Sequence, residues 1–430
     1  MLYIYLFIYN LILIPIMKLV FFIGSHFNKK LKQGRDGRKN YFQNATTIAK
    51  SIPLDAKVYL FHSSSVGEWE QAVPIIEKLK ENDSKVFVIV TFFSPSGFNV
   101  VKNPIIDIKL YMPIDSKSNA RKFFKIFKPK AWIICKYDVW PNMLFEAKKQ
   151  GIPVLLTSAE LAEDSKRHIF PMKAINKPIY AKIDYILAIS KETRTRFLQI
   201  FPFEDRLLIG GDSRYDRINA KAEKLMDEEP IKIFAKEDFF AFIMGSSWPS
   251  DEKHVLPALI RLMQKHPHVN TIFVPHEIEE IHLQSVEKMF SEADIDTDRY
   301  SIFSSGNGTH ARVAIIDTVG ILSKLYRITK IAYVGGAFGS GVHNVMEPAA
   351  FAQPVLFGPK HINSYEACQL EYLMAGHTIH NETEFEIIVD YLINREKLRI
   401  EKGMDARKFL VENLGATEKT IAILNKLHLV

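Results

Sequence analysis

From residue 57 onward, short, largely apolar runs alternate with stretches in which apolar side chains return every three or four positions. The runs fall at 57–61, 85–91, 108–112, 131–135, 153–157 and 185–189, and again at 242–245, 271–274, 313–316, 331–334 and 354–357. Such runs read as strands buried on both faces, and the stretches between them as helices; over 68–80, Trp69, Ala72, Val73, Ile76 and Leu79 share one helix face. This alternation predicts parallel sheets covered on both sides by helices. Residues 94–97 read as a turn and 382–430 as helices. The pattern divides the chain into a segment at 1–40, a doubly wound domain at 41–215, and a charged, weakly periodic linker at 216–240. A second doubly wound domain follows at 241–405, then a C-terminal helix at 406–430. Two such domains would place ligands in the cleft between them, at the carboxyl ends of their strands.

The N-terminus departs from this pattern. Residues 1–24, MLYIYLFIYNLILIPIMKLVFFIG, are apolar apart from Asn10 and Lys18, carry Pro15, and suffice to span a hydrocarbon core of roughly 30 Å. Lys29, Lys30, Lys32, Arg35, Arg38 and Lys39 follow at once. No basic stretch precedes the segment and no small-residue cleavage site ends it, so it reads as a retained anchor. Cations after the segment put the rest of the chain on the cytoplasmic side and draw it to anionic headgroups. Lys18 and Pro15 leave open a helix lying in the interface; a helix buried on its own domain is the third reading.

A chain of 430 residues with 47% apolar content and only two cysteines, Cys135 and Cys368, has no disulfide framework and no cysteine metal site. That suits a reducing environment. The net charge of +7 points to anionic partners: acidic membrane, phosphorylated substrate or nucleic acid. Nucleic acid is the least favoured, because the cationic run lies beside the apolar segment and no aromatic–basic interleaving appears elsewhere.

The candidate chemistry gathers at strand ends. After the run at 331–334 come Gly335, Gly336, Gly339 and Gly341, then His343 and Asn344, then a helix carrying Glu347; Asn363 caps a further helix. Glycines let backbone N–H groups approach phosphate, and a carboxylate one turn into the helix suits a ribose. The spacing G-G-x-x-G-x-G is not the dinucleotide fingerprint, and a tight turn without ligand is the alternative. After the first strand, Ser65 and Gly67 lead to Glu68, which is placed to act as a general base or simply to complement the helix dipole. Trp140 and Asn142 follow the strand at 131–135, at a helix start. Ser246 and Ser247 suit phosphate or an N-cap, and His276 suits a substrate contact or a structural role. No zinc-like spacing and no Ser-His-Asp arrangement is present, so neither metal nor cofactor is predicted.

Together SVGE at 65–68, WPN at 140–142, GSSW at 245–248, the glycine, His-Asn and Glu-Pro-Ala residues of 335–349, and FGP at 357–359 resemble the 3-deoxy-D-manno-octulosonic acid (Kdo) transferases. The resemblance runs in order to about residue 370. It implies an α/β fold of GT-B type, with two Rossmann-like doubly wound domains facing a cleft and an N-terminal membrane-anchor helix. The implied reaction moves Kdo from CMP-Kdo to the lipid A precursor (lipid IVA) in lipopolysaccharide core biosynthesis, at the cytoplasmic face of the inner membrane. Glu68 is the implied base. Ser246, Ser247, His276, Gly335, Gly336, Gly339, Gly341, His343, Asn344 and Glu347 would bind the donor, and Ser65, Gly67, Trp140 and Asn142 the acceptor. The chain departs from the family pattern at Lys136-Tyr137-Asp138, where an acidic pair is usual, and at Pro275-His276-Glu277, where Pro-Arg-His is usual. It departs again at Ile321 in place of a glutamate and at Val342 in place of a glycine. A GT-B enzyme for another nucleotide-sugar, or a membrane-tethered binder without turnover, are the alternative readings.

Overall fold

The computed structural model describes residues 2–236, 238–362 and 364–429. Two compact units are present: one runs through Arg217 and includes the chain from Asn413 onward, the other spans Ile218–Glu412.

The first unit holds seven parallel strands: β1 (Lys57–His62), β2 (Val86–Phe92), β3 (Ile108–Tyr111), β4 (Ala131–Cys135), β5 (Val154–Ala159), β6 (Tyr185–Ala188) and β7 (Leu207–Ile209). Their order is β3-β2-β1-β4-β5-β6-β7. Parallel neighbours need crossovers, and helices in those crossovers bury both faces, which is why β4 reads AWIIC and is buried throughout. One face packs Leu60, Ile89, Ile134 and Leu156 against Phe123 and Phe124. The other packs Phe61, Val90 and Ile133 against Trp69, Val73 and Ile76 of the Val66–Asn82 helix.

The second unit repeats the plan with β8 (Phe240–Ser247), β9 (Val269–Pro275), β10 (Thr297–Arg299), β11 (Val313–Ile315), β12 (Ile331–Val334), β13 (Val355–Phe357) and β14 (Gly376–Thr378). These are ordered β10-β11-β9-β8-β12-β13-β14. In both sheets the strand order reverses beside the first strand, between β1 and β4 and between β8 and β12. Loops leaving the carboxyl ends of those pairs diverge and open the crevice in which such sheets bind ligands.

The doubly wound reading holds, and several details differ from expectation. Strands β10 (TDR) and β14 (GHT) carry no apolar run, and β7 (LLI) is a three-residue strand at the sheet edge, so none of the three was expected. The expected turn at 94–97 begins a short helix, Pro95–Val100, because Ser94 Oγ accepts the Ser96 N–H. The stretch expected as a linker from 216 starts inside the Ser213–Asp227 helix. The expected C-terminal helix at 406–430 is divided between the units. Residues to Glu412 finish a helix of the second unit, while the Ala416–Lys426 helix returns to the first and lays Ile421 and Leu424 on its core. The expected cap Asn363 lies outside the described residues; the Tyr365–Tyr372 helix is capped by Ser364.

The N-terminal segment is helical, as Leu2–Ile8 and Ile14–Gly24 joined by a π-helical turn at Tyr9–Leu13. The wide turn lies directly ahead of Pro15, which has no N–H to give back and crowds the carbonyl four residues earlier.

Candidate active site

In the first unit the chemistry lies at the carboxyl ends of β1, β2 and β4. Ser65 caps the Val66–Asn82 helix by accepting the Glu68 N–H at 3.3 Å. Glu68 turns back in return, Oε2 accepting the Ser64 N–H at 2.5 Å and Oε1 the Ser65 hydroxyl at 3.4 Å. The carboxyl is buried, and burial raises its pKa. Asp138 raises it further, while the Ser64 N–H, His62 and Lys136 pull it down by less. A raised carboxylate is a stronger base near neutral pH.

Asp138 answers it. Burial works against this carboxylate too, but the hydrogen bond and charge of His62 and the hydrogen bond from the Ser64 hydroxyl hold its pKa below the usual range. Its Oδ2 lies 2.9 Å from His62 Nε2 and accepts the Ser64 hydroxyl. Ser64 therefore bridges the two carboxylates, its N–H on Glu68 and its O–H on Asp138. His62 is fully buried, with Nδ1 at 3.0 Å from Thr91 Oγ1, whose own hydroxyl donates to the Phe61 carbonyl. Trp140 Nε1 sits 3.3 Å from His62 Nε2, and its ring packs on Phe93 with centroids 4.8 Å apart. The two carboxylates are driven in opposite directions: Asp138 is held toward its ionised form, and Glu68, with its raised pKa, is the one suited to take a proton. At Gly67 a side chain would meet nothing within 4 Å, so the approach to this helix turn is open.

Ser65, Glu68 and Trp140 thus come together as one network, with Gly67 beside it on the open side of the helix turn. Asn142 is turned elsewhere: its amide donates to the Asp115 carbonyl at 2.6 Å and pairs with Asn10. Asp115 accepts the Asn142 and Met143 N–H groups and the Tyr9 hydroxyl, and burial pushes its pKa up to about 6. His62, Thr91 and Asp138 were not singled out from the sequence. Asp138 was in view only as a departure before WPN, and nothing local ties it to His62, 76 residues away.

In the second unit the hub is Asp251, fully buried in the first turn of the Pro249–Lys265 helix. Oδ2 accepts the N–H groups of Trp248 at 3.0 Å and Gly336 at 2.8 Å; Oδ1 accepts Tyr333 Oη at 3.0 Å and the Phe338 N–H at 3.3 Å. The glycine loop is folded onto itself. Gly335 donates to Gly245, Gly339 and Gly341 both donate to Gly336, and His343 donates to Gly335. A side chain at Gly335 would lie 2.3 Å from the Ser246 carbonyl, and Gly336 has φ +99°. These two glycines serve close backbone approach, and the four glycine N–H groups are engaged within the protein.

Around this hub three rings assemble. Trp248 Nε1 donates to His343 Nε2 at 2.9 Å and the two planes lie within 11° of each other, so they form one continuous surface. His276 lies flat across it, 4.4 Å from each ring centroid. Ser246 is held at φ +53°, and the Ser247 hydroxyl donates to Glu252 at 3.0 Å. Asn344 Oδ1 accepts the Met346 N–H at 3.0 Å, ordering the entry to the short helix that carries Glu347. No group of His, Cys, Asp and Glu suited to a metal ion occurs among the described residues.

Burial lowers the His343 pKa below its ordinary 6.5, His276 lowers it further, and Asp251 opposes both. As the pH falls, the unfolded chain takes up this proton first. Stability from the neutral arrangement is therefore complete above about 6.5 and is lost below it. His343→Gln keeps an acceptor for Trp248 without titrating, so its melting temperature should fall less than the wild type's between pH 7 and 5.5. Equal slopes in a thermal-shift series would remove His343 from this role.

Residues 33–217 match the family described as "3-Deoxy-D-manno-octulosonic-acid transferase (kdotransferase)". The 3-deoxy-D-manno-octulosonic acid transferase of Haemophilus influenzae is 26% identical over 422 residues, 96% of this chain and 96% of its own. That of Aquifex aeolicus is 27% identical over 347 residues, 79% of this chain and 88% of its own. Among solved structures, UDP-GlcNAc 2-epimerase from Neisseria meningitidis bound to UDP-GlcNAc superposes with a TM-score of 0.60 at 13% identity, covering 86% of this chain and 100% of that one. At that identity the likeness is one of fold, and the fold is of GT-B type.

Proposed function

Because the chain belongs to the Kdo transferase family, as a divergent member, we propose that it transfers Kdo from CMP-Kdo to the lipid A precursor (lipid IVA) in lipopolysaccharide core biosynthesis. It is a glycosyltransferase. The observation that carries the finer reading is the Glu68–Ser64–Asp138 arrangement, a base of raised pKa held beside a carboxylate kept ionised. In a single displacement, an acceptor hydroxyl oxygen bonds to the anomeric carbon of Kdo as the bond from that carbon to the CMP phosphate oxygen breaks. The bonding pair leaves with CMP, the configuration inverts, and the hydroxyl proton passes to Glu68. Trp140 and the open side of Gly67 border the acceptor's approach.

On the donor side, His276 and His343 stand at the ends of β9 and β12, and His276 occupies the place of the family's usual arginine. These imidazoles, with Ser246, would meet the phosphate charge that appears as CMP leaves; Asn344 and Glu347 would hold the ribose. Attachment is to the cytoplasmic face of the inner membrane through the N-terminal segment, whose Ile4–Gly24 stretch is long and apolar enough to enter a bilayer.

Transfer of radiolabelled Kdo to lipid IVA in detergent, with unlabelled CMP or UDP as competitor, tests the reading. Product formation suppressed by CMP and not by UDP is expected. Suppression by UDP alone would move the assignment to another nucleotide-sugar, an alternative favoured by the missing arginine and by Ile321. Nucleotide binding without product would favour a binder that does not turn over.

A further inference from the structure

The N-terminal helix has two unlike faces. Its less exposed positions, among them Tyr5, Tyr9, Asn10, Ile14, Met17 and Phe21, recur at steps that follow one side of the coil. That side is fastened to the first unit along its length. Tyr5 packs on the core, Tyr9 Oη donates to Asp115 at 2.8 Å, and the Asn10 and Asn142 amides pair at 3.1 Å. Phe21 meets Phe93 edge-on at 5.9 Å. From Tyr5 to Phe21 the helix is about 24 Å long at 1.5 Å per residue. A helix held lengthwise over that distance cannot cross a bilayer without drawing the folded unit and its polar surface into hydrocarbon. Freed from the unit to span, it would carry the Asn10 amide to mid-membrane without Asn142. The opposite side, with Ile4, Phe7, Leu11, Leu19 and Val20, is exposed.

A second apolar element adjoins it. The Met172–Tyr180 helix packs beside Leu2–Ile8, and the chain entering it exposes Ile169, Phe170 and Met172, Phe170 by 76%. Residues 165–182 include Lys166, Arg167, Lys173, Lys177 and Lys182 and no carboxylate; the first 35 residues contain none either, and end in the Lys29–Arg35 cations. Apolar tips among cations, of which Arg35 pairs with Asp36, fit an anionic lipid surface, the tips sinking to the acyl boundary and the cations meeting headgroup phosphates.

We infer that the N-terminal helix lies in the plane of an anionic membrane surface, held lengthwise on the first unit, with Ile169, Phe170 and Met172 inserting beside it as a second contact. This rests on the membrane attachment proposed above and fixes its geometry: the segment lies on the bilayer and does not cross it.

The test uses the full chain in a Cys368→Ser background, with Ile4→Cys or Ile23→Cys carrying a nitrobenzoxadiazole probe. It is made in the presence of inverted inner-membrane vesicles, and dithionite is added outside. The in-plane helix exposes both probes to similar reduction. A spanning helix leaves the residue-23 probe reducible and protects the residue-4 probe until the vesicles are lysed, which overturns the inference and spares the attachment. Failure of the wild type to float with vesicles overturns the attachment itself. In parallel, Ile169→Asp with Phe170→Asp should weaken binding to phosphatidylglycerol vesicles by about tenfold or more, with Kdo transfer in detergent unchanged. Unaltered vesicle binding by this variant would remove the second contact.

Discussion

Glu68→Gln is expected to lower turnover by about 10²- to 10⁴-fold while CMP binding stays within about twofold. The amide is nearly the same shape, so its oxygen still accepts the Ser64 N–H and the helix keeps its cap from Ser65. What disappears is the capacity to take a proton. The same carboxyl should set the acid limb of the pH–rate profile. Burial and Asp138 raise its pKa above the ordinary 4.5, so the wild-type rate should decline at a pH above that value as the base becomes protonated, with no such limb in the variant's residual rate. Steady-state kinetics across pH, paired with calorimetric titration of CMP, separates the two effects. A variant with full activity would leave Glu68 as a carboxyl that only ties the Ser64 N–H to the first helix turn. A variant that lost CMP binding would point to a structural fault, because the proposed donor residues belong to the other unit.

How much of this was legible in the sequence depends on the range of the interaction. Strand β4 announced itself because a strand covered by helices on both faces has no polar position to interrupt it. The Val66–Asn82 helix announced itself through one apolar face. Neither signal gives the order of strands in a sheet, and the sites depend on that order. His62 and Asp138 meet because β1 pairs with β4, although two strands lie between them in the chain. The glycine loop is the clearest case. Its residues were legible as a close-packed turn at a strand end, but the assignment of its N–H groups was not. A carboxylate 85 residues earlier takes one of them from the end of a neighbouring strand's loop. Asn142 illustrates the same limit from the other side. Placed beside Trp140 in sequence, it faces away toward Asp115, because successive residues at a helix start point in different directions. The Ala416–Lys426 helix was legible as a helix, but amphipathicity does not say which core its apolar face will cover.

Asp251 should prove the most costly single position in the second unit. Two oxygens there receive four donors, three of them backbone N–H groups of Trp248, Gly336 and Phe338, and no water reaches the carboxylate to replace a lost bond. Asp251→Ala strands those N–H groups and the Tyr333 hydroxyl in a buried place. With hydrogen bonds to a charged group worth about 1.5–3 kcal/mol each and not additive, a loss of about 3 kcal/mol or more is expected. For a unit of this size, that is a fall in melting temperature of roughly 6–12 °C. Asp251→Asn should lose less. Its oxygen can keep the Trp248 and Gly336 N–H groups while its amide faces Tyr333, whose hydroxyl can rotate to accept, so that only the Phe338 N–H is abandoned. The ordering of wild type, Asn and Ala by scanning calorimetry is therefore the prediction. It extends to the proposed donor site, because Gly336 anchors the loop that brings His343 to Trp248 and His276. CMP affinity should fall with stability in the same order, by about tenfold or more for the alanine variant. Melting temperatures within a degree of wild type for both variants would mean that the loop holds its shape without the carboxylate. Lost affinity with unchanged stability would instead place Asp251 against the nucleotide.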